Sequence, residues 1–360
     1  IRREVRKAVG DAHKAGIQVV MITGDNENTA ESIARECGIL TSKKDIVITG
    51  AGLSSMSDEE VKNIFPKLRV IARAVPKDKQ RMVKLAKEMG LVVGMTGDGI
   101  NDAPALKSAD VGFAMGSGTD VAKEAGDIVI TDDSFSSITR AVLYGRTIFI
   151  SIRKFIVFQL LMNLCAVGVS LIGPFVGIEN PVTIVQMLWV NIIMDTLGGL
   201  AFAGEAPLEE YMRRKPVSKS EGILSRKMVN QILFTGLYSL ALCMNFLKSG
   251  AMRRIFEPCS DKYYLTVFFA LFIFCGVFNS FNVRTERINL GAHLGKNKAF
   301  IIIMTAVMIT QLTLIYFGGD VFRCVPLSAH DLLFAALLSL TVIPADIIRK
   351  VIFSKSRRQL

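Results

Sequence analysis

Two hydrophobic rhythms divide the chain. From Arg2 to about Asp133, short apolar runs alternate with amphipathic stretches. The spacing predicts a helix over Glu4–Ala15 closed by Gly16, then a strand over Ile17–Ile22 that stops at Thr23-Gly24-Asp25. A helix over Thr29–Glu36 ending at Gly38 and a short strand over Ile46–Ile48 follow. Next come helix Glu59–Phe65, strand Arg69–Ala72, and helix Lys77–Glu88 closed by Gly90. Strands over Leu91–Met95, Val111–Ala114 and Ile128–Ile130 complete this part. Such alternation predicts a parallel, doubly wound sheet with helices on both faces.

Beyond it the rhythm changes. Phe135–Lys154 reads as a charged helical connector, and six apolar segments follow near 155–175, 183–204, 229–248, 263–282, 299–318 and 332–352. Each is long enough to cross a hydrocarbon layer of roughly 30 Å. A buried soluble helix imitates one such segment, but not six in succession. The expected organisation is therefore a soluble domain over 1–134, the connector over 135–154, a six-helix membrane domain over 155–353 and a short basic tail over 354–360.

Composition agrees with two solvents: 51% of the 360 residues are hydrophobic and mean hydropathy is +0.40, yet the first third is richly charged. The net charge of +11 belongs to loops beside apolar segments and not to one basic tract, so lipid is the expected partner and nucleic acid is not. Arg213, Arg214, Lys215, Lys219, Arg226 and Lys227 lie between the second and third segments; Arg284, Arg287, Lys296 and Lys298 lie between the fourth and fifth. Alternate loops carry fewer basic residues, which puts both chain ends and the soluble domain in the cytosol. The six cysteines show no paired or metal-ligand spacing; Cys165, Cys243 and Cys275 serve as small hydrophobes, while Cys259 and Cys324 fall in two loops on the outer side. Because the chain opens at Ile1 in mid-pattern, it reads as a piece of a longer one, without a signal peptide.

The chemistry centres on Met95-Thr96-Gly97-Asp98-Gly99-Ile100-Asn101-Asp102-Ala103-Pro104-Ala105-Leu106. A buried strand, a sharp Asp-Gly turn and a helix opened by Asn101, Asp102 and Pro104 put carboxylates at a strand's carboxyl end, where open α/β sheets bind ligands. Two aspartates four residues apart beside glycines suit Mg²⁺ and the phosphoryl group it neutralises. This run resembles the hinge signature of P-type cation-transporting ATPases, and the similarity continues through Thr23-Gly24-Asp25, Lys79 and Gly116-Ser117-Gly118-Thr119 into the membrane part. Its fine detail is similar to calcium pumps of the plasma-membrane type.

The resemblance implies an α/β haloacid-dehalogenase-like (Rossmann-like) phosphorylation domain followed by an all-α bundle of six transmembrane helices. It also implies that Asp98 binds Mg²⁺, Asp102 supports the phosphorylation loop, Asn101 hydrogen-bonds the phosphate region and Lys79 pairs with a phosphate oxygen. Thr23 would hydrogen-bond the transferred group, Gly24 would admit the backbone, and Asp25 and Arg73 would contribute to the ATP site. The family's phosphorylated aspartate stands in Asp-Lys-Thr-Gly, a tetrapeptide this sequence lacks. The missing amino-terminal part of the same pump is therefore an expected partner, and the chain alone is expected to be inactive.

Intramembrane polar residues are costly and point to function. In Leu188-Trp189-Val190-Asn191-Ile192-Ile193-Met194-Asp195, Asn191 and Asp195 share one helical face, and Asn163 lies at similar depth in the first segment. Amide and carboxylate oxygens suit Ca²⁺. By resemblance all three occupy ion-ligand positions. The residues themselves suggest that Gly198-Gly199 loosens the helix beyond Asp195, and that Asp346, near the basic end of the sixth segment, is an interfacial partner of Arg349 or Lys350 and not an ion ligand. The positions that supply acids for a second ion in two-ion pumps correspond here to Ala166 and Gly276. The implied function is an ATP-driven calcium exporter of the plasma membrane moving one Ca²⁺ per ATP. Its rivals are a pump for another cation, a phosphatase fused to an anchor, and a non-catalytic pump-like membrane protein.

Overall fold

The computed structural model describes residues 1–178, 180–256 and 260–355, with the side chains of 194, 195, 354 and 355 outside the described set. The chain divides into two compact units, Ile1–Thr147 with Pro207–Glu221, and Ile148–Ala206 with Gly222–Leu360.

In the first unit the elements run α1 (Val5–Lys14), β1 (Met21–Ile22), α2 (Glu27–Cys37), β2 (Ile46–Thr49), α3 (Gly50–Ser55), α4 (Asp58–Ile64), β3 (Leu68–Ala72) and α5 (Pro76–Glu88). They continue with β4 (Gly94–Gly97), α6 (Ala103–Ser108), β5 (Val111–Met115), α7 (Asp120–Ala125) and β6 (Ile128–Ile130). Local chemistry sets the boundaries: the Asn26 side chain accepts from Thr29 N to open α2, Gly38 at φ 79° closes it, and Ser57 and Glu60 form a capping box on α4.

The expected single sheet is instead two parallel three-stranded sheets, β1-β3-β2 and β4-β5-β6; among the described residues β1 pairs with β3 and β4 with β5, and no ladder joins β1 to β4. Two strands are also shorter than their apolar runs. Gln18 donates its side-chain amide to the Phe65 and Leu68 carbonyls at 2.8 and 2.9 Å, so Ile17–Val20 run beside β3 without a ladder. In the other sheet the ladder starts only where Gly94 meets Val111. The cores are conventional: Val9, Ala30, Ala34, Val70 and Ala72 pack on one side, Leu53, Val61, Leu68, Ile71 and Leu85 on the other.

The connector and the first apolar segment form one unbroken 38-residue helix, α8 (Phe135–Ile172), about 57 Å long at 1.5 Å per residue. The second segment comprises α9 (Ile184–Asn191), a π-helical stretch (Ile192–Gly198) and α10 (Gly199–Ala203). Then come α11 (Arg226–Lys248), α12 (Gly250–Ile255), α13 (Asp261–Arg284), α14 (Lys298–Phe317), α15 (Ala329–Leu340) and α16 (Val342–Lys355). Helix α15 stops four residues before Pro344, whose ring excludes the Leu340 carbonyl from a regular bond. Among the described residues, six helical segments have the length and apolarity of membrane spans.

Helix α13 is apolar all round and buried along almost its whole length, which makes it the axis of the second unit. Cys165, Cys243 and Cys275 are buried free thiols, as expected of small hydrophobes. Cys324 is likewise free and buried, whereas Cys259 lies outside the described residues.

Candidate active site and ion-binding helices

The carboxyl end of β4 leads directly into the aspartate pair. Asp98 is exposed, and its backbone is held from both sides: its N–H donates to Asp102 Oδ2 at 3.2 Å and its carbonyl accepts from Thr119 N at 2.8 Å. Asp102 is buried, with Lys79 Nζ at 2.6 Å from Oδ1 and Gly99 N at 3.3 Å from Oδ2. Two glycines make room. A Cβ on Gly97 would stand 2.4 Å from the Asp102 Cβ, and one on Gly118 would stand 2.8 Å from the Asp98 carbonyl oxygen. The Gly116–Thr119 turn is fixed in turn by Asp133, whose carboxyl is held below its usual range by the Ser117 N–H at 3.0 Å.

Thr23, Gly24 and Asp25 stand at the end of β1. Thr23 Oγ1 donates to Asp25 Oδ2 at 2.9 Å, and Thr23 and Asp25 carbonyls accept from Ala74 and Arg73 at 2.9 and 2.8 Å. Arg73 is exposed with φ 48°, a strained value for a residue with a side chain, and it lines a polar cleft with Asn26, Glu27, Asn28 and Thr49. Asn101 is exposed beside Asp102. Lys79 is thus already engaged by Asp102, a partner that resemblance had not assigned to it.

This arrangement can do what phosphoryl transfer asks of a protein: concentrate cationic and N–H donors at strand ends next to an anionic ligand for a hard metal. Asp98 fits Mg²⁺, which takes one or two carboxylates and keeps several waters. Among the described residues no cluster of three or more His, Cys, Asp or Glu side chains could hold a metal by itself.

In the membrane-type unit Asn163 is half-buried on α8 and Asn191 is exposed at the end of α9. Neither amide forms a hydrogen bond to another helix among the described residues. The π-helical stretch begins right after Asn191 and includes the backbone of Asp195, whose side chain lies outside the described residues. The π-helical stretch runs through Gly198 and gives way to α10 at Gly199, so the irregular backbone reaches the glycine pair; Gly198 is also closely packed, since a Cβ there would meet Phe158 Cε1 at 2.9 Å. Asp346 pairs with both basic neighbours, Arg349 at 2.7 Å and Lys350 at 2.8 Å.

Comparison with known proteins matches residues 1–110 to the haloacid dehalogenase-like hydrolases and residues 179–352 to the family described as "Cation transporting ATPase, C-terminus". This chain belongs to the P-type cation-transporting ATPases. It is 43% identical over 342 residues to the Oryza sativa subsp. japonica "Probable calcium-transporting ATPase 6, plasma membrane-type", covering 94% of this chain and 33% of the relative. It is 41% identical over 367 residues to the Mus musculus "Plasma membrane calcium-transporting ATPase 1", covering 94% of this chain and 30% of that protein. With the Arabidopsis thaliana "Calcium-transporting ATPase 4, plasma membrane-type" the identity is 40% over 356 residues, 98% of this chain and 34% of the relative. The chain therefore spans about a third of these calcium-transporting ATPases, in their carboxyl-terminal part.

The sequence reading of this chain passed over Glu205, a buried carboxylate 3.0 Å from Lys154. The signal was present as one acid closing an apolar segment and one lysine opening another.

Proposed function

We propose that this chain is the carboxyl-terminal part of a plasma-membrane pump that exports one Ca²⁺ from the cytosol per ATP hydrolysed, through a phosphorylated aspartate supplied by another segment of a longer chain. The observation that carries this reading is the Asp98–Asp102–Lys79 cluster in a unit from which one unbroken helix, α8, runs on to bear Asn163. The excess of basic residues in alternate loops supports a cytosolic side for the soluble unit.

The nucleophilic carboxylate attacks the γ-phosphoryl group of ATP and ADP departs. Lys79 and the Thr23 hydroxyl offset charge on the equatorial oxygens, Asn101 hydrogen-bonds the phosphate region, and Gly24, Asp25 and Arg73 hold the nucleotide side. Asp98 would hold Mg²⁺, which supplies Lewis-acid neutralisation of the phosphate when bound. Asp102 keeps Lys79 and the Asp98 backbone in place.

For the cargo, Asn163, Asn191 and Asp195 offer hard oxygens, to be completed by main-chain carbonyls and a carboxylate from the rest of the pump. Several features favour a single ion. Ala166 is buried and has no side-chain oxygen, and at Gly276 the space a Cβ would enter is taken by Met162, whose Cε lies 2.9 Å away. The small cavity there is lined by Phe158, Met162, Val190, Ile193, Ile273 and Gly276, apolar groups that suit no cation.

Equilibrium ⁴⁵Ca²⁺ binding to the full-length pump, normalised to phosphorylatable sites, tests this. One ion per site, with Ca²⁺-dependent phosphorylation lost in Asp195→Asn, is expected. Two ions per site would sink the single-site reading.

A further inference from the structure

Glu205 is the shared anion of a buried polar hub. It lies just beyond α10, and its Oε2 accepts from Lys154 Nζ of α8 at 3.0 Å. Its Oε1 faces Asn297 Nδ2 at 3.4 Å and Arg284 Nη1, on the last residue of α13, at 3.8 Å. The Glu205 and Arg284 side chains are 6% and 2% exposed and that of Lys154 is 15%, so water does little to screen the group. Asn297 adds a donor to the Ala201 carbonyl at 3.1 Å while its Oδ1 caps α14 through Phe300 N at 2.9 Å. Gly204 permits this seating, because a Cβ there would stand 2.9 Å from Ala299 Cβ and Asn297 Oδ1.

A buried ion pair is a poor way to gain stability: well-packed apolar side chains in its place do as well or better. What it supplies is directional fixing of the groups it joins. Here those groups lie on the two helical paths that carry the candidate ion ligands, Lys154 within α8 and Glu205 just beyond α10. Lys154 sits nine residues, about 13 Å, before Asn163 on the same unbroken α8. Glu205 ends the path that starts at Asn191 and runs through the π-helical stretch and α10. Such π-helical turns are departures from the regular ladder that recur at functional sites. With one end of that path pinned to α8, the Asn191–Asp195 stretch has a fixed distance to Asn163.

We propose that Glu205, gripped by Lys154 and Arg284, is a positioning residue for the calcium site, setting the separation between the Asn163 helix and the Asn191–Asp195 helix. This rests on the calcium reading given above. The test is equilibrium ⁴⁵Ca²⁺ binding by the purified full-length pump, with thermal unfolding measured in parallel. Glu205→Gln should weaken calcium binding about tenfold, the penalty for a site held loosely by its supporting shell. Because Glu205→Gln leaves two buried cations short of an anion, the double variant Lys154→Met/Glu205→Gln, which removes both members of the pair, is measured as well. It should unfold nearer the parent temperature than Glu205→Gln alone and still bind calcium weakly, whereas Lys154→Arg should retain near-parent affinity.

Parent-like calcium affinity in the folded double variant overturns the proposal. So does a loss in Lys154→Arg as large as that in Glu205→Gln, since the grip would then not be what matters. Asp195→Asn separates the two claims. If it abolishes binding while the Lys154 and Glu205 variants do not change it, the positioning role alone falls; if Asp195→Asn binds normally, the ion site falls and the positioning role with it.

Discussion

Asp98 depends on its neighbours more than on its own surroundings. Its carboxylate is exposed, but the backbone beneath it is tied to Asp102 and Thr119 and roofed by Gly118. Asp98→Asn in the full-length pump should abolish phosphoenzyme formation from ATP, because the metal that offsets phosphate charge loses an anionic ligand. Acid-stable ³²P-phosphoprotein at the parent rate would remove that role. Gly118→Ala should act less directly: the new methyl meets the Asp98 carbonyl oxygen at 2.8 Å and its Cα at 3.0 Å, backbone atoms that cannot rotate away. A cost of about 1–3 kcal/mol is expected from such overpacking. It should appear as a lower denaturant midpoint together with a raised Mg²⁺ requirement for phosphorylation.

At the scale of elements, the segment Pro207–Glu221 belongs to the phosphorylation-type unit although apolar helices flank it in sequence. Arg146 holds it, donating to the carbonyls of Tyr211 and Arg214 at 2.9 Å each and of Ala15 at 2.7 Å. Arg146→Ala strands these carbonyls at a cost of roughly 1–3 kcal/mol, and trypsin should cut faster at Arg213 and Arg214. Unchanged cleavage kinetics would mean that the segment is held by other contacts. Lys219 makes a second tie, 2.8 Å from Asp110, and this hydrogen bond holds the Asp110 carboxyl below its ordinary value. A lowered folded pKa gives stabilisation that is complete above the unfolded value of about 3.9 and is lost as pH falls through the folded one. Protection of the segment in an acid-active protease assay should accordingly hold at pH 5 to 7 and fade below about pH 4, with Lys219→Met removing the pH-dependent part. The exposure of Lys219 keeps that part small.

At the scale of the whole molecule, the expected absence of turnover is the sharpest outcome. The 360-residue chain in purified vesicles should hydrolyse no ATP in response to calcium, since its sequence contains no Asp-Lys-Thr-Gly. Calcium-dependent turnover free of host pumps would refute the assignment of the nucleophile to another segment. Hydrophobic period alone determined the alternating first part, the six long apolar helices and, through Gly38, Gly90 and the capping residues, most helix ends; these are short-range properties, fixed by 3.6- and 2-residue repeats and by local hydrogen bonds. The order of residues around Asp98 likewise exposed the chemistry, because a strand–turn–helix motif is local. Other features were decided only by tertiary structure. The split into two sheets follows from which strands find ladder partners, the Lys79–Asp102 pair joins residues 23 apart, and the Glu205 hub gathers side chains from 154 to 297. Each joins groups far apart in sequence, and no periodicity records which distant carboxylate a buried lysine will meet; that is settled when the helices pack and an unpaired buried charge becomes too costly to keep.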